Sequence, residues 1–185
     1  MALAVFLVGK YVVREGRKPR RVGRIVETEA YPVGDAAAHA FRGQTQRNGS
    51  LFLRRGHAYV YFAYGSSMML NVSSEAAGVG AGVLIRALEP VAGIAAMQRA
   101  RGLERLRDLT RGPGRLTEAM DIDLRLDGID LCAAGPLWLA TAGHEPGDVG
   151  RSVRIGITRN VEGVLRFFER GNAHVSGTRR LNSSG

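Results

Sequence analysis

The sequence predicts an α+β domain with a largely antiparallel sheet. Runs rich in β-branched and aromatic residues come in pairs joined by short turns, segments of helical spacing are set between them, and 25 glycines supply many tight turns. At 185 residues with 45% hydrophobic content, the chain is expected to fold as one domain over 1–185 with a real core.

Each element has its own signal. The start MALAVFLVGK is apolar but has no basic leader or cleavage pattern, so it reads as the edge of a folded element. KYVVREGRKPRRVGRIVETEAY reads as two strands around a Gly/Pro turn. HAYVYFAYGSSMMLNVSS reads as a second hairpin, turning near Gly65 and Ser66. AGVLIRALEP is a buried strand expected to end at Pro90. VAGIAAMQRARGLERLRD follows with helical spacing, and Pro90 suits a first helical position. GPGRLTEAMDI reads as a short helix opened by a Gly-Pro-Gly turn. LWLAT, VRIGIT and LRFFERG are the last expected strands.

Charge narrows the function. The net charge is +9, and only Lys10 and Lys18 among 26 basic residues are lysines. A high-GC genome explains a preference for arginine but not the net excess, which favours a polyanionic partner, nucleic acid being the usual one. No run approaches the ~18 apolar residues of a membrane helix, and no basic amphipathic helix suits a membrane surface. Cys132 is the single cysteine, which excludes an internal disulfide and suggests a cytosolic protein. His57, His144 and His174 are scattered in turns. With no Cys/His cluster, no metal site is expected.

The stretch GRIVETEAYPVGDAAAH places Glu27, Glu29 and Tyr31 on one face of a strand, with His39 in the loop beyond. Glu29 reads either as a solvated strand residue or as a carboxylate that activates water and stabilises a cation. Glu27 and Glu29 would lie ~7 Å apart, a spacing that also suits an inverting glycosidase, although neutral glycans do not call for such a charge. Tyr59 and Tyr61 share a face of YVYFAYG, whereas Tyr64 has the opposite parity and abuts the turn. In a basic protein a tip aromatic is a candidate wedge between bases; otherwise all three tyrosines are sheet-packing residues. Asn71, on the returning strand, is either structural or a reader of a base edge. GPGRL lacks the Walker pattern, yet can aim Arg115 at a phosphate.

Taken together, GRIVETEAY, AAAH, RGQTQRNGSLF, YVYFAYGSSMMLNVSS, GVLIRALEP and GPGRL resemble the alkyladenine (3-methyladenine) DNA glycosylase family, in order from about Gly9 to Gly177. The resemblance implies one α+β domain with a curved antiparallel sheet, a protruding β-hairpin and flanking helices. It implies a base-excision repair enzyme that flips alkylated or deaminated purines from double-stranded DNA and hydrolyses the N-glycosidic bond. Glu29 matches the acid that activates water, and Arg86 the arginine that helps hold that water and a nearby phosphate. Tyr31, His39 and Tyr61 match the walls around the flipped base. Asn71 matches a residue at the pocket entrance, and Val175 lies near the pocket floor. Tyr64 matches the residue inserted into the minor groove. Arg42, Thr45, Arg47, Leu51 and Arg115 are expected to contact DNA. No cofactor, metal or lyase lysine is implied, and a monomer is the default. Fewer residues than usual precede LVGKYVV, the Tyr31–His39 loop is a residue shorter than in some members, and His174 stands where an aromatic is common. The alternative reading is a non-enzymatic basic nucleic-acid-binding module with stacking tyrosines.

Overall fold

The two runs either side of the first turn form β1 (Tyr11–Arg14) and β2 (Arg21–Tyr31), paired antiparallel from Tyr11↔Arg24 to Arg14↔Arg21. They belong to a computed structural model that describes residues 1–16, 19–63, 65–143 and 146–183. The second hairpin forms β3 (Ala58–Ala63) and β4 (Ser67–Ser73), and β5 (Gly82–Ala92) comes next. The chain continues through α2 (Ile94–Arg101), α3 (Pro113–Ala119), β6 (Leu137–Ala140), β7 (Val149–Ser152), β8 (Arg166–Glu169) and α4 (Arg179–Ser183), with α1 (Ala2–Leu7) at the start. All eight strands among the described residues join one curled antiparallel sheet in the order β3-β4-β5-β2-β1-β6, with β8 on β2 and β7 on β8. This is the α+β architecture the sequence predicts.

The second strand is the spine. One edge pairs with β5 along most of its length. The other edge is shared, Arg21–Arg24 by β1 and Glu27–Glu29 by β8. Covered this way, β2 is buried continuously through residues 23–30. Ile25 and Ala30 enter the main core with Leu7 of α1, Met97 of α2 and Leu116 of α3. Strict alternation would put Glu27 and Glu29 on the same apolar face as Ile25. Register shifts between Ile25/Glu27 and Glu27/Thr28 prevent this. Val26 is the extra residue on β2, and Arg86 is the extra residue on β5. An inserted residue reverses the parity of the strand beyond it. Thr28 therefore faces the core side, its hydroxyl donating to the Ala4 carbonyl, while Glu27 and Glu29 are delivered to the opposite face with Arg86.

Three elements differ from expectation. The strand AGVLIRALEP does not end at Pro90 but runs to Ala92, and α2 starts at Ile94. Beyond Leu84, β5 no longer pairs with β4, and another register shift falls beside Pro90, so a residue without an N–H is tolerated there. The break is made by Gly93, at φ +74°, and Gly102, at φ +60°, stops the helix short of Leu103. VRIGIT is not a strand either; the strand falls earlier, at Val149–Ser152, because Arg154 donates to the Ala30 carbonyl and the Ile155 amide to Glu29. Tyr64, the expected tip residue of the β3–β4 hairpin, lies outside the described residues, as does His144.

Gly93 is a strict requirement of this chain path, because a Cβ there would lie 2.4 Å from the Arg20 carbonyl oxygen. Gly93→Ala is expected to lose about 1–3 kcal/mol of stability. The loss would be read as a lower urea midpoint at unchanged slope.

Candidate active site

The parity switch in β2 gathers charged groups against a single guanidinium. Arg86 Nε donates to Glu27 Oε1 at 3.0 Å, and its Nη1 lies 3.2 Å from Glu29 Oε1. Arg86 is only 7% exposed, and both carboxylates are fully buried. Glu27 also accepts from Arg166 Nε at 2.6 Å, from the Ser176 amide at 2.6 Å and from the Ser176 hydroxyl at 2.9 Å. Glu29 accepts from the Ile155 amide at 2.7 Å and from the Tyr31 hydroxyl at 3.0 Å.

The two acids are thereby made unlike. Burial pushes both carboxyls up. At Glu27 two guanidiniums and the Ser176 amide overcome it and hold the group below the usual carboxylate range. At Glu29 burial wins over Arg86, the Ile155 amide and the Tyr31 hydroxyl, so the carboxyl stays above that range. Glu27 is held as an anion by Arg86, Arg166 and Ser176, which counts against the glycosidase-pair reading. Glu29 is therefore the more readily protonated of the two. Burial and the neighbouring Glu29 charge raise the Tyr31 phenol, which therefore remains a donor.

Tyr31 links the acid to a pocket whose walls include His39, Tyr59, Tyr61, Leu51 and Asn71. The His39 and Tyr61 rings sit 4.4 Å apart between centroids, and Tyr61 stacks on Tyr59 at 5.0 Å. The Tyr59 hydroxyl is 2.8 Å from His39 Nδ1. Burial, aided by nearby Arg47, lowers the His39 imidazole, so the wall is neutral at pH 7. Gly82 gives the lining its shape, since a Cβ there would meet Leu51 at 2.7 Å. Tyr31, His39 and Tyr61 also line a neighbouring pocket together with residues 156–159.

Behind Tyr31 stands Arg154, its guanidinium 4.5 Å from the ring centroid. Arg154 pairs with Asp35, both side chains being fully buried, and donates to the Ala30 carbonyl at 3.0 Å. Asp35 also accepts from the Ala37 amide, which braces the loop that carries His39. The next residue after Arg154 is Ile155, the donor to Glu29. One buried ion pair thus fixes the end of β2, the His39 loop and the Glu29 donor together.

Of the residues singled out in the sequence, Glu29, Arg86, Tyr31, His39, Tyr61 and Asn71 are brought together here. Asn71 donates from Nδ2 to the Tyr59 carbonyl at 3.4 Å. Val175 is not in the ring pocket. It is buried with Val26, Ala87 and Phe168 on the Glu27 side, and its carbonyl accepts from Arg111 Nε at 2.8 Å. Leu51 is 5% exposed and lines the pocket instead of the surface. Arg86 is engaged by Glu27, Glu29, Ile155 and Ser176, which leaves it 7% exposed. Arg42, Thr45, Arg47 and Arg115 are exposed. Thr45 turns the loop by exchanging hydrogen bonds with Asn48, and Arg47 donates to the Phe62 carbonyl at 2.8 Å. Sequence reasoning missed Tyr59, though its shared parity with Tyr61 was a usable signal. Nothing local pointed to Arg154, Asp35, Arg166 or Ser176.

A buried carboxylate beside a ring-walled pocket in a basic protein is the arrangement the resemblance implies. The family model for methylpurine-DNA glycosylase matches residues 1–173. The chain belongs to the methylpurine-DNA glycosylase family. A relative from Mesorhizobium japonicum is 64% identical over 180 residues, covering 97% of this chain and 86% of the relative. One from Paraburkholderia phytofirmans is 51% identical over 97% and 84% of the two chains, and one from Carboxydothermus hydrogenoformans 43% over 95% and 93%. All three carry the words 3-methyladenine DNA glycosylase in their names. Within this methylpurine-DNA glycosylase fold, no described helix is long and apolar enough to cross a membrane.

The Arg154–Asp35 pair is expected to be a structural necessity of the pocket. Asp35→Ala leaves a buried guanidinium uncompensated and should lose about 3–5 kcal/mol, measured by urea unfolding. A loss below about 1 kcal/mol would show that the pair does not brace the site.

Proposed function

We propose that the protein is a monofunctional, hydrolytic glycosylase of base-excision repair, acting on duplex DNA that holds an alkylated or deaminated purine of the 3-methyladenine, hypoxanthine and ethenoadenine class. The observation that carries this reading is Tyr31, which lines the ring pocket and donates to Glu29, a buried carboxyl that burial raises above the ordinary range.

The damaged nucleotide is rotated out of the stack, at a few kcal/mol, least where pairing is already weak. Tyr31, His39 and Tyr61 receive the base. A neutral imidazole wall stacks on an electron-poor purine without repelling a cationic one. As the bond from C1′ to the purine nitrogen breaks, its electron pair leaves with the base and positive charge builds on the sugar. Glu29 stabilises that charge as an anion and takes a proton from water, whose oxygen forms the new bond to C1′. On the resemblance, Tyr64 fills the vacated stack. Exposed Arg42, Arg47 and Arg115, with Thr45, are assigned to the DNA backbone. Asn71 and Leu51 act from the pocket wall, and the chain acts as a monomer.

A duplex with one hypoxanthine or ethenoadenine, incubated with protein and then treated with alkali, should break at the lesion. Glu29→Gln should bind the same duplex and lose about 10²–10⁴-fold in single-turnover excision. Intact strands with wild-type protein, alongside retained binding, would favour the binding-module reading.

Only ionised Glu29 accepts a proton, and its carboxyl is raised. The wild-type excision rate should therefore fall as pH drops through a midpoint above the ordinary carboxylate range. A midpoint at or below that range would remove Glu29 from the role.

Binding to undamaged duplex should weaken steeply with salt, and replacing Arg42, Arg47 or Arg115 by alanine should each lower the log–log slope by about one. A flat affinity between low and physiological salt would count against the DNA reading.

A further inference from the structure

A base buried against a guanidinium has a chemical problem. The ion pair stabilises the anion and so weakens it as a proton acceptor. Arg86 stands in that relation to Glu29, yet it does not serve Glu29 alone. Its Nε goes to Glu27, which also binds Arg166 and both donors of Ser176. Arg166 is fully buried, stacks 4.4 Å over the Phe168 ring and donates onward to Ser152, Asn182 and the Ser176 carbonyl. Glu27 and Glu29 thus face Arg86 and Arg166, two anions against two cations with little solvent to screen them.

The geometry points to Glu27 as the positioning residue of the site: by engaging Arg86 and Arg166 at its own carboxylate, it keeps Arg86 in place and leaves Glu29 a base strong enough to take a proton from water. The inference rests on the glycosylase reading above. The groups facing Glu29 are Glu27 and Tyr31 on β2, Arg86 on β5 and the Ile155 backbone after β7. Arg166 on β8 acts through Glu27. Arg154, on the far side of Tyr31, is matched by Asp35. Among these, Glu27 is the group whose charge opposes ionisation of Glu29.

Two variants test this with opposite signs. Glu27→Gln removes an anion and leaves the cluster with an excess positive charge. The acid limb of single-turnover excision should move down by about one pH unit, and the plateau rate should fall several-fold because Glu29 has become the weaker base. Arg166→Gln removes a cation, and its acid limb should move up. Arg166→Lys keeps the charge and should return the limb towards wild type. A purely structural role would lower the melting temperature of each variant and leave the limb where it is; that result in either folded variant overturns the proposal. Should Glu27→Gln melt below the assay temperature, Arg166→Gln decides alone. Carboxyl ¹³C NMR of the wild-type protein needs no variant: Glu27 must stay ionised across the range in which Glu29 titrates, and a Glu27 that takes its proton first overturns the proposal. Wild-type protein that excises no lesion overturns the glycosylase reading itself, which separates that failure from this one.

Discussion

The architecture turns on one guanidinium held between two carboxylates on the same strand. Burying charge is expensive, and it is tolerated only where partners and hydrogen bonds replace the lost water. Arg86 supplies that replacement to Glu27 and Glu29 at once. The sheet is built to let it do so. β2 is covered on both edges, which removes water, while the displaced register with β5 turns the acids away from the apolar core. Without the inserted residues, the same strand would drive two carboxylates into the cluster of Ile25, Leu88 and Leu116.

The same economy explains the preference for arginine over lysine. Arg24, Arg86, Arg154 and Arg166 are all buried, and each pairs with one or more carboxylates. A planar fork with five donors can serve several acceptors from inside the protein, whereas a lysine ammonium acts as a point charge. Base composition of the genome is therefore an incomplete account. Several arginines are thus tied up in buried ion pairs, whereas others such as Arg42 and Arg115 are exposed.

Pocket and acid are coupled through Tyr31 and the chain behind it. The Arg154–Asp35 pair holds the rear of the ring and the loop that carries His39, and Ile155 comes directly after as a donor to Glu29. A shift in the 153–160 segment would disturb the packing on Tyr31 and the Ile155 hydrogen bond to Glu29 together. The ring-walled pocket and the buried Glu29 carboxylate consequently share one support, built from the Arg154–Asp35 pair and Ile155.

Much of this was legible before any fold was known. Period-two runs around Gly/Pro turns set the hairpins, since alternation and turn chemistry are local properties. Glu29, Tyr31, His39, Tyr61 and Arg86 were readable from motifs whose order along the chain resembles a known family. Tertiary structure decided the rest. Pro90 reads as a strand end, yet the strand passes through it, because tolerance for a missing N–H depends on which neighbours remain alongside. VRIGIT reads as a strand, yet Arg154 and Ile155 are taken up by Asp35 and Glu29, which lie over a hundred residues earlier. Glu27 and Glu29 are the same residue type two positions apart on one strand. By itself the sequence determined that both carboxylates share a face; only the fold decided which is held as an anion and which burial makes easier to protonate, because that depends on Arg166 and Ser176 arriving from the far end of the chain.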